Sequence, residues 1–220
     1  MDHDQSWADG ASELIDQPGP MKAGRRRIPG AAVSDVPSTC VSVFVAPNFH
    51  TMSEDLRAEL EKCLQTLNIQ TSCVEHPPVF TVEEMMPHLQ EVSGAVTKNL
   101  FLKDKKKKTL WLVSARHDRS VNLNNLAKKL GVGSGNLRFA DEAAMLEKLK
   151  VGQGCATALA LLFDEDQSVK LVLDRDLVEG GHQMVYFHPM TNAATMGLRP
   201  DDLLRFLKET GHEPILESFE

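Results

Sequence analysis

Gly94-Ala95-Val96-Thr97-Lys98-Asn99-Leu100-Phe101-Leu102 runs through Lys103-Asp104 into four lysines, Lys105 to Lys108, and then Thr109-Leu110-Trp111-Leu112-Val113-Ser114-Ala115. Two apolar stretches with a short charged break between them read as strands Val96–Lys103 and Thr109–Ala115 joined in a hairpin. Side chains alternate along a strand, so Lys98 shares a face with Val96, Leu100 and Leu102, while Thr97, Asn99 and Phe101 face the other way. An ammonium among aliphatic neighbours needs water or an anion at its tip. Either the lysine stem covers apolar surface with its head in solvent, or the position serves an anionic group such as an RNA phosphate or a developing oxyanion. Spacing alone leaves both open.

Upstream, Ser53 is an expected N-cap for a helix carrying Leu56, Leu60, Cys63, Leu64 and Leu67 at helical spacing. Ile69, Thr71 and Cys73 alternate as a strand. His76-Pro77-Pro78-Val79-Phe80 is held extended by its prolines, and Thr81-Val82-Glu83-Glu84 has the form of a capping box. Downstream, Asn122–Leu130 reads as a helix stopped by Gly131, Leu137–Phe139 as a short strand, and Asp141 as the N-cap of a helix to Leu149. Ala158–Phe163, Val169–Asp174 and Gln183–Phe187 are strand-like, and Pro200 opens a last helix. The glycines of Gly131-Val132-Gly133-Ser134-Gly135 follow a helix instead of a strand, so they read as a helix stop, not a phosphate loop. Strands dominate the middle and hairpins join several of them. The expected class is α+β, a mixed or largely antiparallel sheet with helices around it.

The chain of 220 residues suits one domain plus additional sequence, with the globular pattern spanning 52–216. Residues 1–48 carry Pro and Gly breaks and Arg25-Arg26-Arg27 without sustained periodicity, and are expected to be a disordered extension. The net charge of -7 argues against strong, phosphate-driven binding to nucleic acid, and no DNA partner is expected; selective contact with an RNA end stays open. Cys40, Cys63, Cys73 and Cys155 form no C-x-x-C pair, so neither a zinc framework nor a disulfide scaffold is expected, and no metal or other cofactor. The chain starts without an apolar signal segment and has no run near the ~20 apolar residues of a membrane span, which points to the cytoplasm and no membrane partner.

Four segments in order carry a resemblance. Thr97-Lys98-Asn99-Leu100-Phe101-Leu102-Lys103-Asp104 with Leu110-Trp111-Leu112-Val113 is similar to the core motif of the YbaK/ProX (PrdX) aminoacyl-tRNA deacylase family. His76-Pro77-Pro78-Val79-Phe80-Thr81, Phe187-His188-Pro189-Met190-Thr191-Asn192 and Asp201-Asp202-Leu203-Leu204-Arg205-Phe206-Leu207 agree with it. Members stand alone or are inserted in bacterial prolyl-tRNA synthetases. The resemblance implies a mixed, barrel-like sheet with surrounding helices and hydrolysis of aminoacyl-tRNA esters, most naturally of alanyl-tRNA(Pro) in trans, with cysteinyl-tRNA(Pro) as the nearest competitor.

The family's lysine maps onto Lys98, implied to position the acylated RNA end while water attack is assisted by backbone donors and the substrate's ribose hydroxyl. That scheme asks for orientation and oxyanion stabilisation in place of a Ser-His-Asp set. A family Gly-x-x-x-Pro turn, which lines the amino-acid pocket, corresponds to Gly154-Cys155-Ala156-Thr157-Ala158, with alanine where the proline is expected. That departure leaves room for a second reading, a catalytically weak tRNA-binding or synthetase-associated adaptor. His188 and Asn192 are candidate pocket residues, His188 as a general base or as a turn-holding hydrogen bonder. Lys105, Lys106, Lys107 and Lys108 are candidates for steering the acceptor stem. The implied partners are the tRNA acceptor end, of tRNA(Pro), and prolyl-tRNA synthetase.

Overall fold

The computed structural model describes residues 49–219 apart from Lys107; the extension expected at 1–48 lies outside the described residues. In chain order the elements are α1 (Phe49–Thr66), β1 (Ser72–Glu75), α2 (Val82–Met85) running into a 3-10 turn (Met86–Leu89), β2 (Ala95–Asp104) and β3 (Leu110–Arg116). Then come α3 (Leu123–Lys129), β4 (Leu137–Phe139), α4 (Glu142–Leu149), a 3-10 helix (Ala158–Phe163), β5 (Val169–Asp174) and α5 (Asp176–Glu179). The chain closes with β6 (Val185–Phe187), β7 (Ala194–Leu198), α6 (Pro200–Glu209) and β8 (Ile215–Glu217).

The strands form one sheet in the order β1-β7-β6-β2-β3-β5-β8, with β4 also paired to β2. Four ladders are antiparallel and three parallel, so the sheet is mixed. Its centre is the expected hairpin: β2 and β3 pair residue for residue from Thr97↔Arg116 to Lys103↔Leu110. β3 lies between β2 and β5 and is covered on both faces, which is why it reads as an almost unbroken apolar run. Leu112, Leu171 and Leu173 pack on one face with Leu60 and Leu64 of α1 and Phe206 and Leu207 of α6. Trp111, Val113 and Val172 pack on the other with Leu126 and Ala127 of α3.

Local capping signals hold well. Asp141 accepts from Ala144 N–H at 2.9 Å as expected, and Asn122, read as the first residue of its helix, caps it by accepting from Asn124 and Asn125 N–H, both at 3.0 Å. Three readings need correction. α1 begins at Phe49, so Ser53 lies within the helix and does not cap it. Ile69 is buried but precedes β1; its N–H closes the end of α1 on the Leu64 carbonyl at 2.9 Å. Ala158–Phe163 is a 3-10 helix and not a strand: the Thr157 hydroxyl caps it on Leu159 N–H at 3.3 Å. A short, wholly apolar run has no period by which to tell a buried strand from a buried helix.

Candidate active site

The site begins as a gap in the sheet. β3 covers one edge of β2 without interruption. On the other edge β6 reaches only Ala95 and Val96, and β4 only Leu102 to Asp104. Peptide groups along a strand point to alternate edges. Ala95 N–H bonds the Met184 carbonyl (3.0 Å) and the Phe101 carbonyl accepts from Ala140 N–H (2.9 Å) on the interrupted edge, while the Val96 carbonyl accepts from His117 N–H (2.8 Å) on the other. The odd-numbered residues therefore turn their peptides to the gap, and the N–H and C=O of Asn99 stand there with no strand across. A cavity of about 540 Å³ occupies this place, lined by Thr97 through Phe101, the start of α2, Phe139, α4 and the loop at Gly154.

Lys98 lies at this cavity, partly buried. Its ammonium donates to the main-chain carbonyl of Arg119 and makes no ion pair among the described residues. Burial holds its pKa below the ordinary lysine value, and the more distant charges of Asp118 and Glu83 oppose that only in part. The carbonyl that receives it is held firmly. Arg119 Nε lies 3.3 Å from the buried carboxylate of Asp174 and Nη2 3.7 Å from Asp176. Arg116 forks onto Asp118 at 2.6 and 2.9 Å, reaches Asp176 at 2.7 Å, and gives its backbone N–H to Asp174 at 3.2 Å. These pairs lock the turn after β3, and with it the anchor of Lys98.

The opposite wall is set by the capping box. Glu84 N–H donates to the Thr81 hydroxyl at 3.2 Å, but the Glu84 carboxylate accepts from Phe80 N–H at 2.8 Å, one residue earlier than the motif suggests. Phe80 is thus fixed by its backbone while its ring lies along Gly154, where a Cβ would stand 2.9 Å from Phe80 Cδ1. Gly154 has φ +84, so both its conformation and its surroundings call for glycine.

Of the sequence candidates, Lys98, Gly154, Ala156 and His188 line the cavity. Cys155, Thr157 and Ala158 do not: all three are buried in the packing behind the loop. Burial pushes the Cys155 thiol up, away from a reactive thiolate. His188 Nδ1 lies 3.1 Å from the Ala194 carbonyl, which can only accept, so Nδ1 carries the hydrogen and the neutral ring leaves Nε2 as an acceptor. Burial lowers its pKa, which keeps the ring neutral. Asn192 is not among the lining residues: its side-chain amide donates to the Val79 carbonyl at 3.0 Å and its main-chain carbonyl accepts Val79 N–H at 3.0 Å, clamping the extended His76–Phe80 stretch. Lys105, Lys106 and Lys108 are exposed on the β2–β3 turn, which Asp104 organises by accepting Lys106 N–H at 2.8 Å. Lys107 lies outside the described residues. The sequence reading missed Phe80, Phe139 and Met145 as lining residues, and Arg119 as the anchor; the place of Phe80 within the His76–Thr81 segment was the one available signal.

A mixed eight-stranded sheet whose interrupted central strand presents a lysine and free peptide groups to a pocket defines the class. Residues 76–206 match the family of aminoacyl-tRNA editing domains, and the chain belongs to this family. Among its relatives, the prolyl-tRNA synthetase associated domain-containing protein 1 of Bos taurus is 70% identical over 166 residues, 76% of this chain and 96% of the bovine one. The prolyl-tRNA editing protein ProX of Acetoanaerobium sticklandii is 35% identical over 161 residues, 73% of this chain and 96% of its own. A crystal structure of a candidate trans-editing enzyme for prolyl-tRNA synthetase shares the fold, with a TM-score of 0.55 at 20% identity over 74% of this chain and 94% of that one.

Proposed function

We propose that this chain removes a wrong amino acid from tRNA in trans, hydrolysing the ester of alanyl-tRNA(Pro), with Lys98 at the reacting end and residues 52–216 as the editing domain. The observation that carries the reading is Lys98: an ammonium that has lost part of its water, has no carboxylate at ion-pair distance among the described residues, and sits beside the open edge of β2. An anion entering the pocket, the phosphate of the terminal nucleotide or the oxyanion that forms when water attacks the ester, supplies the missing partner. The Asn99 N–H faces the same gap as a second donor. Fixed donors of this kind need no reorganisation as charge develops. The turn locked by Asp174 and Asp176 supplies the orientation. His188 holds the wall through Ala194, which leaves its Nε2 as a hydrogen-bond acceptor.

The relatives' names, a prolyl-tRNA editing protein and prolyl-tRNA synthetase associated proteins, support tRNA(Pro) as the nucleic acid and the synthetase as a partner. A cytoplasmic location agrees with this, and no helix among the described residues is long and apolar enough to cross a membrane. Ala158, the departure that suggested a catalytically weak adaptor, is buried and is not among the residues that line the cavity, which favours the enzyme. Incubating the full chain with alanyl-, cysteinyl- and prolyl-tRNA(Pro) tests the proposal. Alanine should be released well above the buffer rate and proline should not. Preferential release of cysteine would move the substrate, and tRNA binding without release of any amino acid would establish the adaptor.

A further inference from the structure

We infer that Phe80 and Phe139 form a stacking platform for the unpaired nucleobases at the 3′ end of the RNA, an inference that rests on the deacylase reading above. They are the two most exposed large apolar side chains of the described residues, at 69% and 60%, while the next, Ile215, is 38% exposed. Both line the one cavity that contains Lys98. Apolar rings left in water at a pocket rim mark a contact surface.

Their settings are those of rigid platforms. Phe80 is held by its N–H on Glu84 and its ring lies against Gly154. Phe139 is paired across from Leu102, so it shares the sheet face of Lys98, displaced from it by four residues of β2, roughly 13 Å along the strand. Beyond Phe139 on the same path lie the exposed lysines of the β2–β3 turn, where Lys105 N–H bonds the Asn136 carbonyl beside the start of β4. The order is a lysine in the pocket, a ring on the rim, then a basic turn, which is the arrangement that tracks a single strand. Charge points the same way. A net charge of -7 disfavours affinity drawn from phosphates alone, and stacking on aromatic faces is a sequence-tolerant contact that adds to the few lysines present.

The test compares Phe80→Leu, Phe139→Leu and the matching tryptophan variants, since leucine keeps apolar bulk and loses the π face. Equilibrium binding is measured to an uncharged RNA hairpin carrying a four-nucleotide single-stranded 3′ tail and to the same hairpin with a blunt end, alongside KM on the alanylated tailed form. Each leucine variant should weaken binding to the tailed RNA and raise KM on the order of tenfold, leave kcat and blunt-hairpin binding unchanged, and be rescued by tryptophan. Unchanged affinity for the tailed RNA would overturn the inference even if the protein deacylates. Equal weakening on both hairpins, or a loss seen only in binding to prolyl-tRNA synthetase, would overturn it as well. An inert wild type whose leucine variants still lose the tail would sink the deacylase reading and leave the platform standing.

Discussion

The two edges of β2 are made of the same ten residues and do opposite work. On the β3 edge every residue from Thr97 to Lys103 has a partner, and the ladder carries the packing of Leu112 and Val113 on either face. On the other edge the ladder stops after Val96 and resumes at Leu102. Buried peptide groups are normally all paired, so an unpaired stretch in the middle of a sheet is stable only where water or a ligand reaches it. The closed edge makes the fold; the open edge makes the site. Lys98 joins the two, since its backbone belongs to the closed ladder and its ammonium to the cavity.

That division predicts opposite consequences for two truncations. Lys98→Ala should lower kcat/KM for alanyl-tRNA(Pro) by about two to three orders of magnitude, the usual effect of removing a fixed donor to a developing charge, while thermal unfolding shifts little because the lost bond to the Arg119 carbonyl is offset by relief of the lysine's desolvation. Leu112→Ala, on the closed side where the side chain is 0% exposed, should cost about 2–5 kcal/mol in denaturant titration. The fraction that remains folded should turn over normally. A lysine variant that unfolds with retained turnover, or a leucine variant that folds well without activity, would break the comparison.

A smaller effect is expected at Gly154, where the open side meets the loop. Gly154→Ala forces a Cβ toward the Phe80 ring and keeps φ at +84, which L side chains rarely adopt. Strain of this kind is worth about 1–2 kcal/mol, and the Phe80 ring is the movable partner. The variant should lose roughly that much stability and show a raised KM. If stability falls and KM does not, Phe80 is not part of the substrate surface.

The closed edge was legible in the sequence and the open edge was not, for a physical reason. The hairpin, the Thr81 and Asp141 caps and the Pro200 helix start are local signals, decided within a few residues of one another. The gap beside Asn99 is decided by where β6 and β4 end, and both come far later in the chain. Nothing in Val96–Leu102 encodes it. β7 and β8 were missed for the same reason: Ala194–Leu198 takes its place between β1 and β6 through distant partners. Lys98 was singled out by its position on an apolar face and by resemblance, and the structure adds its neighbours. Asn192 stands apart from the cavity-lining residues and clamps Val79, a role that an asparagine after a proline turn does not disclose in sequence.

Ala158 gives the smallest expected effect and the sharpest check on where the site ends. It is the first residue of the 3-10 helix, a position at which proline is favoured because its N–H has no partner within the helix. Thr157 before it is extended, at φ -156 and ψ 148, the conformation a following proline requires. The backbone is therefore already shaped for Ala158→Pro, and the gain from a less flexible unfolded chain, about 0.4–1 kcal/mol, opposes the crowding of a ring at a side chain that is 0% exposed. Melting temperature should move by only a few degrees. Because Ala158 does not line the cavity, the release of alanine relative to cysteine should change less than twofold. A marked change in that ratio at constant stability would show that the loop transmits its shape to Gly154, and would extend the open side of the molecule one layer deeper than the cavity wall.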